Sequence, residues 1–378
     1  HVYISPQYAT PELDPGSEKS TLKCDLVKME KGGLKGVFLA VFVAQRPELA
    51  EQGYKAAYNA AMAKFAAIHR LTQKMYPDRC ELARSPADVE RIAPTGKRIV
   101  MIGIENAYPI GDDISRVKEF YDLGARYITL SHSGHNQICD SSGPKQPLNN
   151  GLTEFGKKVV AEMNRLGIMV DVSHIAERSF RDVVALTKAP VIASHSACAA
   201  VNPISRNLTD DQLRALAKNG GVVQVIPMAA FLKADSPERQ QAIESLRKEL
   251  GLRRFSREEL PKLTDKERAD FEAKRKDYEE RMKAIDAKHP PATLVEFVNH
   301  IDHAVKTAGI DHVGIGTDFD GGGGVSGFND ESEALNVTIE LVRRGYSETD
   351  IGKIWGGNLL RVWREAERVA ARYSTKNL

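Results

Sequence analysis

The sequence predicts a parallel (β/α)₈ TIM-like barrel, and three observations carry that prediction. Short, almost uninterrupted apolar runs recur along the chain, as strands covered on both faces require. Amphipathic helical stretches stand between most of them. Several runs also close on a histidine or a carboxylate, and in a barrel the carboxyl ends of the strands meet on one face.

In chain order, a partial strand "HVYI" opens the sequence at His1. The run "GVFLAVFVA" (36–44) is followed by a long Ala-rich helix, "EQGYKAAYNAAMAKFAAIHRLTQKMY". "RIVMIGIE" closes on Glu105 and leads to the helix "DISRVKEFYDLGA". "RYITLSH" closes on His132, and "TEFGKKVVAEMNRLG" stops at a glycine, as helix C-termini prefer. "IMVDVSH" closes on His174 and precedes the helix "SHIAERSFRDVVALT". "PVIASH" closes on His195, and "LTDDQLRALAKNGG" opens with Thr209 and acids in its first turn. "GVVQVI" (221–226) and "HVGIGTD", closing on Asp318, bring the count to eight. A doubly wound open sheet is the competing topology.

One stretch, about 232–291, breaks the alternation. It is crowded with Lys, Arg and Glu and poor in apolar residues, so it reads as a charged helical insertion between strands seven and eight of one 378-residue barrel domain. Acids and bases alternate there, which argues against a nucleic-acid-binding arm. The net charge of +2 likewise supplies no basic field for nucleic acid. No apolar run is long enough to be a transmembrane segment. The start at His1 inside a strand-like run leads us to expect that residues precede it. Cys24, Cys80, Cys139 and Cys198 form no CxxC pair, so a thiolate metal site is not expected. One disulfide, such as Cys80 with Cys139, and four buried thiols both remain open.

The strand ends bring His1, Glu105, His132, His174, His195 and Asp318 to one rim. Taken singly, each has a plain structural reading: a hydrogen-bonded filler, a cap or a turn. Together they make a cluster whose burial would be costly without partners. His, Glu and Asp without Cys suit Zn²⁺ or a similar divalent ion, and a glutamate among them can bridge two ions. Such a centre suits amide hydrolysis.

The segments "GIENAYPIG", "ITLSHSGHN", "VDVSH", "VIASHSAC", "NPISRN" and "HVGIGTDFDGGG", in this order, resemble the membrane (renal-type) dipeptidase family of amidohydrolase-like barrels. The likeness extends over nearly the whole chain. It implies a binuclear zinc centre bridged by Glu105, with His174 and His195 on one ion and His1 on the other. It implies hydrolysis of dipeptides by a metal-bound hydroxide, D-configured C-terminal residues included. Asp318 would move the proton, His132 would hydrogen-bond the oxyanion, and Arg206 would clamp the substrate carboxylate. The resemblance further implies a homodimer and a bacterial periplasmic or envelope location.

One position departs from the pattern. The family has His-x-Asp at the start, both side chains on one ion, whereas this chain has Tyr3 in place of the Asp. A phenol is a poor ligand unless ionised, so the ion facing His1 is expected to be weakly held or absent. A catalytically impaired barrel that binds a peptide or small metabolite is the alternative function. His135 is expected in the loop at the substrate mouth or bonded to backbone there. His300, His303 and His312 read as structural, and His69 and His289 carry no role.

Overall fold

The computed structural model describes residues 1–253 and 264–375. Two compact units are present, one formed by His1–Leu232 with Thr293–Leu378 and the other by Lys233–Ala292. The second unit consists largely of two charged helices, Pro237–Glu249 and Asp265–Lys288. Within it, Arg239 bonds Asp235, Asp286 and the His289 carbonyl.

The first unit contains nine strands among the described residues: β1 (Val2–Tyr3), β2 (Gly36–Phe42), β3 (Cys80–Leu82), β4 (Arg98–Glu105), β5 (Ala125–Thr129), β6 (Met169–Asp171), β7 (Ile192–Ser196), β8 (Val222–Val225) and β9 (Val313–Ile315). All pair in parallel, in the order β1-β2-β4-β5-β6-β7-β8-β9. The sheet then closes on itself. Val2 bridges Phe319, Tyr3 N–H donates to the Phe319 carbonyl at 3.0 Å, and Asp318 N–H donates to the His1 carbonyl at 2.9 Å. That seam makes the expected barrel and excludes an open doubly wound sheet. The short β3 was not anticipated; it pairs with the lower half of β4 (Cys80 opposite Arg98) outside the main path.

Alternation along β4 sets the interior. Ile99, Met101 and Glu105 share one face of the strand with Gly103. A Cβ at Gly103 would lie 1.9 Å from the Tyr127 ring, so the glycine admits that ring beneath Glu105. Lower down, Phe38, Met101, Tyr127, Met169 and Ile192 pack against Trp363 of the helix Asn358–Thr375, all nearly inaccessible to solvent. This apolar layer lies in the lower barrel, beneath Glu105. The helices start and stop as their sequences require: Thr209 makes a capping box with Gln212, and Gly167 ends its helix in the left-handed region. All four cysteines are buried free thiols. No helix of the described residues is long and apolar enough to cross a membrane.

Candidate metal centre

The upper rim gathers every expected residue, though only Glu105 and His195 lie within strands. His1 precedes β1, while His132, His174 and Asp318 stand just beyond β5, β6 and β9. His174 and Asp318 adopt left-handed backbone, with φ of 69° and 48°. The strands end where the chain turns each side chain inward. Behind Asp318, a Cβ at Gly321 would lie 2.1 Å from its carboxylate, so the glycine run lets the loop close tightly there.

Glu105 is the hub. Its Oε1 lies 3.2 Å from His174 Nε2, 3.5 Å from His195 Nε2 and 3.5 Å from His132 Nε2, while Oε2 lies 3.6 Å from His1 Nε2. Asp318 Oδ1 is 3.6 Å from the same His1 nitrogen. The donor atoms form two triads that share Glu105: one with His1 and His195, the other with His132 and His174. His195 thus stands beside His1 as well as beside His174, whose Nε2 it meets at 2.6 Å.

Electrostatics follow from burial. Desolvation pushes the Glu105 carboxyl up to about 7 despite the pull of His1, with Asp318 adding to the rise. Burial opposes charge on His1, yet the Glu105 and Asp318 carboxylates prevail and lift it to about 9. His174 and His195 fall well below the usual histidine range through burial, reinforced by Arg206 and the neighbouring imidazoles. Both imidazoles are therefore neutral at pH 7.

The tautomer of His195 is set from below. Asp171, fully buried, accepts from Thr129 Oγ1 and, at 2.6 Å, from Ser194 Oγ. Its other oxygen takes the backbone N–H groups of Ser173 and Ser194 at 3.0 and 2.9 Å. With its only proton given to Asp171, Ser194 Oγ accepts from His195 Nδ1 at 2.8 Å. Nε2 then turns its lone pair toward Glu105 and His174.

Does this set fit a divalent ion? Both ring nitrogens of His1 are buried without a hydrogen-bond partner, and its carboxylate neighbours lie beyond hydrogen-bond reach. The facing Nε2 atoms of His174 and His195 would repel unless a cation or proton lay between them. Four imidazoles and a shared carboxylate, with no thiolate, form a borderline-hard donor set. The residues fit the ion.

Arg206 lines a cavity of about 440 Å³ together with His174, Ser142 and Ile204. Its guanidinium donates to the His195 carbonyl at 3.2 Å and lies 5.2 Å from the Phe231 ring centroid. Burial lowers it to about 10, partly offset by Glu105, so it stays charged. His135 sits in the loop above: its Nε2 bonds the Gln146 carbonyl at 2.7 Å and its Nδ1 accepts from Ser141 N–H. His69, His300, His303 and His312 are bonded elsewhere, to Leu123, Leu232, Asp210 and Gly221.

Tyr3 points its ring toward Phe42, 5.9 Å away, with Lys64 Nζ 4.2 Å from the Tyr3 ring centroid. Neither Lys64 nor the Asp171–Ser194 pair was singled out from the sequence. The signals were present: "VDVSH" and "ASHS" carry the Asp and Ser just before each histidine. Lys64 falls on the apolar face of its helix, in line with Ala57, Ala61 and Ile68.

A family model described as membrane dipeptidase (peptidase family M19) matches residues 6–377. Dipeptidase tcpJ of Claviceps purpurea is 33% identical over 351 residues, covering 92% of this chain and 70% of the relative. The crystal structure of the probable dipeptidase PvdM from Pseudomonas aeruginosa matches with a TM-score of 0.82 at 34% identity, covering 98% of this chain and 95% of that one. A metallo peptidase from Rhodobacter sphaeroides, liganded with a phosphinate mimic of the dipeptide L-Ala-D-Ala, matches with a TM-score of 0.70 at 25% identity, covering 92% and 91%. The chain belongs to the membrane dipeptidase family, peptidase family M19.

Proposed function

We propose that this chain is a metal-dependent dipeptidase that takes zinc and accepts D-configured C-terminal residues. The observation that carries the reading is the Glu105 carboxylate shared among four imidazoles, with the His1 ring nitrogens buried and unpartnered, beside a cavity that holds Arg206. Glu105, His1, His174 and His195 supply the donors for the ion. When bound, a divalent ion there polarises a carbonyl and acidifies water.

The protein groups divide the remaining work. Arg206 clamps the substrate's terminal carboxylate by charge-assisted hydrogen bonds, and a cavity of this size favours short peptides. Asp318, at the rim beside His1, takes a proton from the attacking water and returns it to the leaving amine. His132, with its side chain 23% exposed, faces the chamber and donates to the developing oxyanion. The neutral forms of His174 and His195 keep their lone pairs available.

The test is direct. Purified protein is stripped, reloaded with Zn²⁺, assayed for metal content, and offered Gly-Asp, L-Ala-L-Ala and L-Ala-D-Ala. Bound metal with turnover of the D-ended dipeptide is the expected result. Failure to retain metal would overturn the reading. A second reading, an impaired barrel that binds a peptide without cleaving it, is favoured by Tyr3 at the ligand position. Metal retention with dipeptide binding and no turnover would select it.

A further inference from the structure

The cavity of about 440 Å³ has two kinds of wall. Arg206 and His174 form the wall that it shares with the metal centre. Elsewhere its lining is largely apolar, with Val172, Ile175, Ile204 and Leu208 contributing the bulk. Val172, Ile175 and Leu208 are buried, whereas Ile204 is half-buried. Ile204 precedes Arg206 in the same loop, "NPISRN". That loop is pinned: Asn207 N–H donates to the Ile204 carbonyl at 3.1 Å, and the Asn207 side-chain amide donates to the Asn202 and Phe231 carbonyls, each at 2.8 Å. The apolar side chain is therefore held at a fixed place beside the guanidinium.

A carboxylate clamped by Arg206 decides which part of a substrate enters this cavity. The α-carbon of a C-terminal residue is one bond from that carboxylate, so its side chain extends past Arg206 toward Ile204. An ionised side chain finds poor company there. Among the described residues that line the cavity, Arg206 is the one permanent cation and Glu177 the one acid. Arg206 is engaged by the terminal carboxylate, and Glu177 Oε1 already accepts from Arg181 at 2.6 Å. A second carboxylate would lose water without gaining a cation, and a side-chain ammonium would face Arg206 and compete with Arg181 for Glu177. A bulky apolar side chain instead gains by leaving water for the aliphatic wall.

We propose that Ile204, with Ile175 and Leu208, selects the substrate's C-terminal residue, so that this chain takes dipeptides ending in a bulky apolar residue in preference to acidic or basic ones. The inference rests on the metal-dependent dipeptidase reading and deepens it by naming the substrate class. Gly-Leu, Gly-Asp and Gly-Lys are compared twice: by kcat/KM with zinc-loaded protein, and by calorimetric affinity with metal-free protein. Gly-Leu should lead both charged peptides by at least ~10-fold in each measurement. Ile204→Lys should reverse the order, placing Gly-Asp ahead of Gly-Leu at unchanged zinc content. Ile204→Ala, the milder change, guards against misfolding of the lysine variant and should lower kcat/KM for Gly-Leu by ~10–100-fold, with Gly-Ala little affected. Equal use of the three peptides, or variants that keep the wild-type order, would overturn the proposal while leaving the metal-dependent reading intact. Neither turnover nor binding of any dipeptide would sink both.

Discussion

At the scale of single residues, two side chains invite measurement. Arg206 hydrogen-bonds a backbone carbonyl, stays charged despite its burial, and lies apart from the donor atoms around Glu105. Arg206→Ala should raise KM by roughly 10–100-fold, the loss of a charge-assisted contact, and leave zinc content unchanged. Steady-state kinetics beside metal analysis checks this. Glu331 is 1% exposed, and neither carboxyl oxygen has a hydrogen-bond partner. Burial, with Asp330 and Asp320 nearby, lifts it from 4.5 to about 8. The folded state thus holds a proton that the unfolded chain releases at lower pH. The stability this contributes is complete below 4.5 and is lost as pH climbs through about 8. Glu331→Gln should match the wild type in melting temperature at pH 4.5 and exceed it by several degrees at pH 9. Equal melting curves at both pH values would refute the assignment.

At the scale of elements, adjacent strands cooperate to orient one imidazole. β5 supplies Thr129, β6 supplies Asp171, and β7 supplies both Ser194 and His195. Ser194→Ala leaves Asp171 short of a donor and His195 free to change tautomer. It should weaken zinc binding ~10–100-fold, the usual effect of losing such a supporting group, and destabilise the fold by about 1–3 kcal/mol. Zinc titration and imidazole ¹⁵N chemical shifts would register the two effects separately. This network explains a limit on what the sequence reveals. Glu105, His132, His174 and His195 were legible because apolar runs end on them. Asp171 was not, because a carboxylate inside a strand pattern looks like an interruption until its four donors are seen around it. Lys64 was hidden for a similar reason: helical periodicity shows which face it occupies, while the rings that receive its ammonium come from β1 and β2.

At the scale of the molecule, alternation of strand and helix was enough to predict a closed parallel barrel. Periodicity did not predict β3, whose three residues carry too little pattern to distinguish strand from loop. Nor did it place the strand ends, which stop short of His132, His174 and Asp318. The charged stretch was readable from composition alone. Leu232 and Thr293, which border it, are each tied into the first unit, through the His300 ring at 2.9 Å and a bridge to Ser326. Replacing residues 233–292 by a short Gly/Ser linker should therefore leave a cooperatively melting barrel that still binds zinc, as calorimetry with metal analysis would show.

The left-handed backbone at His174 and Asp318 has a thermodynamic corollary. An L-residue held there raises the free energy of the native state, and glycine would adopt the same geometry more easily. His174→Gly relieves that penalty and also separates crowded imidazoles, against the greater chain freedom of glycine when unfolded. In metal-free protein the substitution should increase the melting temperature, by up to about 1 kcal/mol in stability, while abolishing catalysis. A more robust but inert protein would mean that the native histidine is retained for reactivity at the expense of durability.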